Sequence, residues 1–231
     1  MAVDGVGAAP GGSPLLADHT TLRVGGPADR LVVATTEAEL IEAVGDCDRR
    51  GEPVLVVGGG SNLLIADDGF RGTVVVVATR GITADVSACG GAAVRVAAGE
   101  NWEAFVAEAV AREWSGVEAL SGIPGSVGAT PIQNVGAYGA EVAQTIASVR
   151  TWDRRRATQR TFALSDCGFG YRTSRFKREP GRYLVLEVGF QFPLASLSTP
   201  VAYAEVASAP AVDVMPGNPA AATTTSARRV C

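Results

Sequence analysis

Residues 121–139 read SGIPGSVGATPIQNVGAYG. The stretch carries no charged side chain, yet it places glycine at 122, 125, 128, 136 and 139, with Ser121, Ser126, Thr130, Gln133 and Asn134 interleaved. Glycine at that density lets the main chain approach a ligand closely and lets successive N–H groups converge. An uncharged loop of this kind can bind an anionic, planar cofactor through main-chain donors without a lysine. The same residues also fit a run of tight turns with no ligand, and by themselves they leave both readings open.

Two further segments bear on the choice. Residues 54–62 (VLVVGGGSN) run a buried strand into three glycines, Gly58, Gly59 and Gly60, followed by Ser61 and Asn62. A strand ending in such a turn suits a pyrophosphate, although a plain β-turn has the same composition. It is not a Rossmann fingerprint: G-x-G-x-x-G spacing fails at Leu63, and residues 63–65 continue extended. Residues 170–177 (GYRTSRFK) gather Tyr171, Arg172, Ser174, Arg175 and Lys177. That cluster is either a solvated basic face or a site in which one fixed guanidinium grips a carboxylate with both its nitrogens.

Composition removes several alternatives. The chain has 231 residues, 47% of them apolar and 19% charged, with a net charge of −4. That is a globular balance with no basic footprint for nucleic acid. Lys177 is the sole lysine, which rules out a P-loop, and His19 is the sole histidine, which leaves little material for a histidine triad or metal site. Cys47, Cys89, Cys167 and Cys231 form no C-x-x-C pair, so no metal is expected and the thiols are expected free in a cytoplasmic protein. The N-terminal 14 residues have no basic start and no apolar core for a signal peptide, and the longest aliphatic run, 74–78, is too short to span a bilayer.

The pattern along the chain is first α/β and then more antiparallel. Strands are expected at 31–34, 54–57, 74–77 and 94–97, with a helix over 37–49 capped by Thr36 and stopped at Gly51. Asn101 caps a second helix whose apolar residues Trp102, Phe105, Val106, Ala109 and Val110 share one face. Later strands are expected at 147–153, 160–162 and 183–192. A mobile leader is expected at 1–18, and periodicity is lost beyond about residue 208.

Taken in order, residues 19–28 (HTTLRVGGPA), 56–65 (VVGGGSNLLI), 122–138 (GIPGSVGATPIQNVGAY) and 170–177 resemble the UDP-N-acetylenolpyruvoylglucosamine reductase (MurB) family. The resemblance covers about residues 18–203 and implies one FAD-binding subdomain at 19–90, a second at 91–195 and a remnant of a substrate domain at 196–231. It implies an α+β, two-part FAD-binding fold of the PCMH/VAO-like flavoprotein type, FAD as cofactor and NADPH as reductant. The implied reaction reduces an enolpyruvyl sugar nucleotide to UDP-N-acetylmuramate for peptidoglycan, in a cytoplasmic monomer. It further implies that Gly58, Gly59, Gly60, Ser61 and Asn62 contact the cofactor, together with Ser121, Gly122, Ile123, Pro124, Gly125, Gly128, Ala129, Asn134 and Gly136. Arg172 matches the family's catalytic arginine, which polarises the enolpyruvyl carboxylate, and Tyr171 lies beside it in the substrate site. Charge building on that carboxylate during hydride transfer would be held by the guanidinium, while the flavin supplies the hydride.

The resemblance stops near residue 205. Family members continue into a substrate-closing domain with a G-S-F-F-x-N-P segment, whose serine donates a proton, and a glutamate beyond it. Neither is in these 231 residues. The expectation is a truncated or frame-shifted reductase that folds a flavin-binding core and turns over poorly. The alternatives are a catalytically silent FAD-binding protein and another FAD-dependent oxidoreductase of the same fold. Many of the latter attach flavin covalently through histidine or cysteine in the first glycine loop, and this loop has neither.

Overall fold

A computed structural model describes residues 14–195. The strands and helices run β1 (Ala28–Ala34), α1 (Glu37–Arg50), β2 (Val54–Val57), β3 (Phe70–Val77), β4 (Ile82–Ser87), β5 (Gly91–Ala97), α2 (Trp102–Ala111), β6 (Gly136–Ala137), β7 (Ala140–Glu141), β8 (Ile146–Asp153), β9 (Thr158–Ala163), α3 (Leu164–Cys167), α4 (Arg175–Arg178) and β10 (Tyr183–Phe192).

The first lobe is a three-stranded parallel sheet in the order β1-β3-β2. Its helix α1 starts where Thr36 accepts from the Glu39 N–H while Glu39 reaches back to the Thr36 N–H, a reciprocal cap that satisfies two end donors. Gly51 ends it in the left-handed region at φ 64°. Leu40 and Val44 of α1 pack against Val75 of β3 and against Leu184 and Leu186 of β10.

The second lobe is a five-stranded antiparallel sheet, β4-β5-β10-β8-β9. Helix α2 lays Trp102, Phe105, Val106 and Ala109 on it, where Phe105 meets Phe190 at 5.0 Å between ring centroids. Side chains the size of Val106 and Phe105 each contribute roughly 1.5–3 kcal/mol by leaving water. The lobes are also joined by Arg150 of β8, which donates through both terminal nitrogens to the Glu37 carboxylate at 2.7 Å each, and by Arg154, which clasps Asp48.

The expected strands are all present, several of them longer than read. β1 begins at Ala28 because Ala28 and the exposed Arg30 still pair with β3, across a register shift at Asp29. β4 was not anticipated: ITADVS is an exposed edge strand with no alternation to mark it, and it pairs with β5. It therefore joins the second sheet. Of the expected leader, residues 14–18 are tied down: Leu16 is fully buried, and Leu15 forms a bridge with Pro27. Residues 1–13 and the expected remnant at 196–231 lie outside the described residues.

Candidate cofactor site

The turn after β2 and the turn at 123–130 meet face to face. Ser61 Oγ donates to the Pro124 carbonyl at 3.1 Å. A Cβ placed on Gly59 would lie 2.7 Å from Gly125 Cα, and one on Gly58 would run into Ser126 Oγ, so the glycines are what permit this approach. The second turn is fixed from behind: Trp102 N–H donates to Gly125 O at 3.1 Å, Val127 N–H to Glu100 O at 2.9 Å, and Gly128 N–H to Ala98 O at 2.8 Å.

Between the lobes these turns border a cavity of about 600 Å³, within the range of cofactor pockets. Gly58, Gly59, Gly60, Ser61 and Asn62 line it, as do Ile123, Pro124, Gly125, Gly128 and Ala129. Among the described residues, no partner takes up the N–H groups of Gly60, Ser61, Asn62, Gly125 or Ser126. Five main-chain donors without a partner, all on residues that line one cavity, suit a diphosphate. The residues present therefore fit the group the sequence implies. Gly128 and Ala129 differ in chemistry, because their N–H groups already donate to Ala98 O and Ser126 O. They offer surface to a ligand and no donor.

Four expected contacts do not line the cavity. Ser121 Oγ donates to Glu103 Oε1 at 2.9 Å, and the Gly122 N–H donates to the other oxygen of the same carboxylate. Asn134 is 1% exposed beneath the turn. Gly136 is buried in β6, where a Cβ would meet the Ala140 carbonyl at 2.7 Å. Uncharged composition could not distinguish these residues from their neighbours, since engagement by Glu103 depends on where α2 docks.

Tyr171 and Arg172 also stand apart from the cavity lining. Tyr171 is 85% exposed, and Arg172 is exposed with no ion pair among the described residues. Their turn is nevertheless fastened to the glycine-rich segment: Gly170 and Thr173 exchange N–H···O bonds at 3.1 Å each, and Ser174 Oγ donates to Ile132 O at 2.5 Å. Arg172 adopts φ 51°, a left-handed conformation that costs a non-glycine residue roughly 1–2 kcal/mol. Lys177, to which the sequence assigns no separate role, lines the cavity and donates through Nζ to Arg172 O at 2.9 Å. Arg154, the other cation in the lining, is spent on Asp48 and on Gly181 O. Val54, Val56, Tyr183 and Val185 complete an apolar wall. Alternation along the flanking strands was the signal that could have found them.

Among the described residues there is no cluster of metal-ligating side chains and no helix long and apolar enough to cross a membrane.

Comparison with known proteins agrees with this arrangement. A family model described as an FAD binding domain matches residues 28–161. Over 192 residues the chain is 65% identical to a UDP-N-acetylenolpyruvoylglucosamine reductase of Cutibacterium acnes, covering 83% of this chain and 51% of that protein. Among solved structures, the UDP-N-acetylenolpyruvylglucosamine reductase (MurB) of Thermus caldophilus matches with a TM-score of 0.63 at 31% identity, over 78% of this chain and 61% of that one. A p-cresol methylhydroxylase matches at 14% identity with a TM-score of 0.54, over 75% of this chain and 37% of that one, a likeness of fold alone. The fold is thus the two-part FAD-binding type expected. The chain spans about half the length of the curated relatives it matches.

Proposed function

This chain belongs to the family of FAD binding domains, and on that premise we propose that it forms the flavin-holding part of a cytoplasmic UDP-N-acetylenolpyruvoylglucosamine reductase that uses NADPH in peptidoglycan precursor synthesis. One observation carries the reading. Two side-chain-poor turns, bonded to each other through Ser61 and Pro124, carry unspent N–H groups on residues that line a cavity between the lobes. Gly60, Ser61, Asn62, Gly125 and Ser126 would hold the cofactor's diphosphate through those donors, and the apolar wall of Val56, Val77 and Val185 would exclude water from its rings. When bound, the flavin supplies hydride transfer from the nicotinamide to the vinyl carbon of the enolpyruvyl sugar nucleotide.

The chain's own residues supply charge. Arg172 would grip the enolpyruvyl carboxylate, where charge grows in the transition state, and Tyr171 would sit alongside that group. The nearby Lys177 ammonium adds a second positive charge on the cavity wall. Because these 231 residues contain no G-S-F-F-x-N-P segment, tested by themselves they are expected to lack the proton donor and lose on the order of 10²–10⁴ in rate.

The exposed position of Arg172 supports a second reading, a catalytically silent FAD-binding protein. One experiment separates the two. The purified chain is loaded with FAD, reduced anaerobically with NADPH, and given the enolpyruvyl sugar nucleotide. Flavin absorption that bleaches with NADPH and returns with the sugar nucleotide supports the reductase. Bleaching without return supports a reductase remnant that keeps only the NADPH half-reaction, bound flavin that NADPH does not bleach supports the silent reading, and a chain that takes up no FAD overturns both.

A further inference from the structure

We propose that Asn134 is a positioning residue that locks the Arg172 turn, and that it makes no contact with the cofactor. Its side-chain amide is fully committed inside the protein. Oδ1 accepts from the Ala143 N–H at 3.1 Å, and Nδ2 donates to Glu141 Oε2 at 2.7 Å and to Gly170 O at 3.1 Å. An amide nitrogen has two hydrogens, and both are used. The orientation is determined as well, since an acceptor must face the Ala143 N–H and a donor must face the carboxylate and the carbonyl.

The Gly170 carbonyl is the hinge of the argument. It opens the tight turn that carries Arg172, and Asn134 reaches it from a point 36 residues earlier in the chain. Ser174 closes the turn from the other side by donating to Ile132 O, and Lys177 Nζ holds Arg172 O. Asn134 and Arg172 both adopt left-handed backbone, at φ 48° and φ 51°. Conformations of that kind persist only where surrounding contacts over-determine them. The main chain of the turn is thereby fixed while the guanidinium is left unpaired, which pre-organises it for a carboxylate. Glu141 anchors the device: its carboxylate receives Nδ2, and its own main chain belongs to the β6–β7 hairpin.

This inference rests on the reading of Arg172 as the carboxylate-holding group, and the test keeps the two apart. Two variants are compared with the wild-type 231-residue chain loaded with FAD. Asn134→Asp replaces the donor with an acceptor facing Glu141 and Gly170 O. Asn134→Gly keeps the left-handed backbone and removes only the amide. Three quantities are read: FAD affinity, amide hydrogen exchange at residues 170–173, and the change in flavin absorption on adding UDP-N-acetylglucosamine enolpyruvate. We expect FAD affinity to be unchanged, exchange at Thr173 to speed up about ten-fold, and the sugar-nucleotide response to need about ten-fold more ligand.

FAD affinity that falls ten-fold with exchange unaltered would make Asn134 a cofactor ligand and overturn the proposal. So would variants indistinguishable from wild type in all three quantities. If Asn134→Asp does not fold, Asn134→Gly decides. Arg172→Ala serves as reference: a sugar-nucleotide response that survives it refutes the role of Arg172, and the exchange data still decide whether Asn134 locks the turn.

Discussion

Replacing Gly59 by alanine tests whether the two turns must touch for the cofactor to bind. The added Cβ would lie 2.7 Å from Gly125 Cα, 2.9 Å from Gly125 C and 3.3 Å from Ser126 N. Carbon atoms rest about 3.5–4.0 Å apart, so the turns must separate by on the order of 1 Å. All three opposing atoms are main chain, held from behind by Trp102 and Val127, and the Ser61–Pro124 bond opposes the separation. Overpacking of this kind costs about 1–3 kcal/mol. If the cofactor needs the closed turns, that cost appears as a loss in FAD affinity of about five-fold to about 150-fold, read by quenching of flavin fluorescence on titration. Gly122→Ala is the control. Unlike Gly59 it sits at positive φ, nothing lies within 4 Å of its Cβ, and it does not line the cavity. It should lower stability while leaving FAD affinity alone. A Gly59→Ala chain that binds FAD as wild type does, beside a Gly122→Ala chain that does not, would refute the closed-turn argument.

Other outcomes follow from the described contacts. Gly45 sits inside α1, where a Cβ would make only an ordinary contact with Arg49, so Gly45→Ala should raise unfolding free energy by about 0.5–1 kcal/mol in urea titration. The Tyr183 hydroxyl is buried with no partner among the described residues. Tyr183→Phe should therefore leave the urea midpoint unchanged or raise it, and a clear drop would reveal a partner. Four carboxyl groups are held below their ordinary values: Glu39 by the Thr35 N–H and hydroxyl, Glu52 by the Thr73 hydroxyl and then Arg50, Glu179 by Arg182, and Asp153, whose burial acts upward but is outweighed by Arg182 and the N–H groups of Arg155 and Arg156. Their unfolded forms bind protons first on acidification, so this stability is complete above about pH 5 and drains away below about pH 4.5. A urea midpoint constant down to pH 3 would contradict it. Burial pushes the Cys167 thiol up to about 11, with Asp166 adding to the shift. Alkylation at pH 8 with mass mapping should mark exposed Cys89 and spare Cys47 and Cys167.

The parts of this architecture that could be read from residues are those governed by local rules. Thr36, Glu39 and Gly51 mark both ends of α1 through capping chemistry alone, and Val54–Val57 is bounded by glycine on one side and Pro53 on the other. The glycine turns were legible for the same reason: glycine density states that main chain must come close to something. What stayed hidden depends on distant partners. Nothing near Ile82–Ser87 reveals its pairing with β5, because an exposed edge strand needs no buried face. Ser121 and Gly122 look like cofactor donors until Glu103, in the first turn of α2, takes both. Lys177 lay in plain view within 170–177, but its place on the cavity wall follows from how α4 meets β10.

Strand β10 occupies the middle of the five-stranded sheet, with β5 on one side and β8 on the other, although among the described residues it is the last strand in chain order. Its Leu184 and Leu186 also seal the far side against α1. During synthesis the earlier strands must therefore wait with their central gap open, and their apolar faces wet, until the keystone emerges. Such a nascent chain would dwell in a half-built form that invites chaperones or self-association, and the decisive long-range closure would be its slowest event.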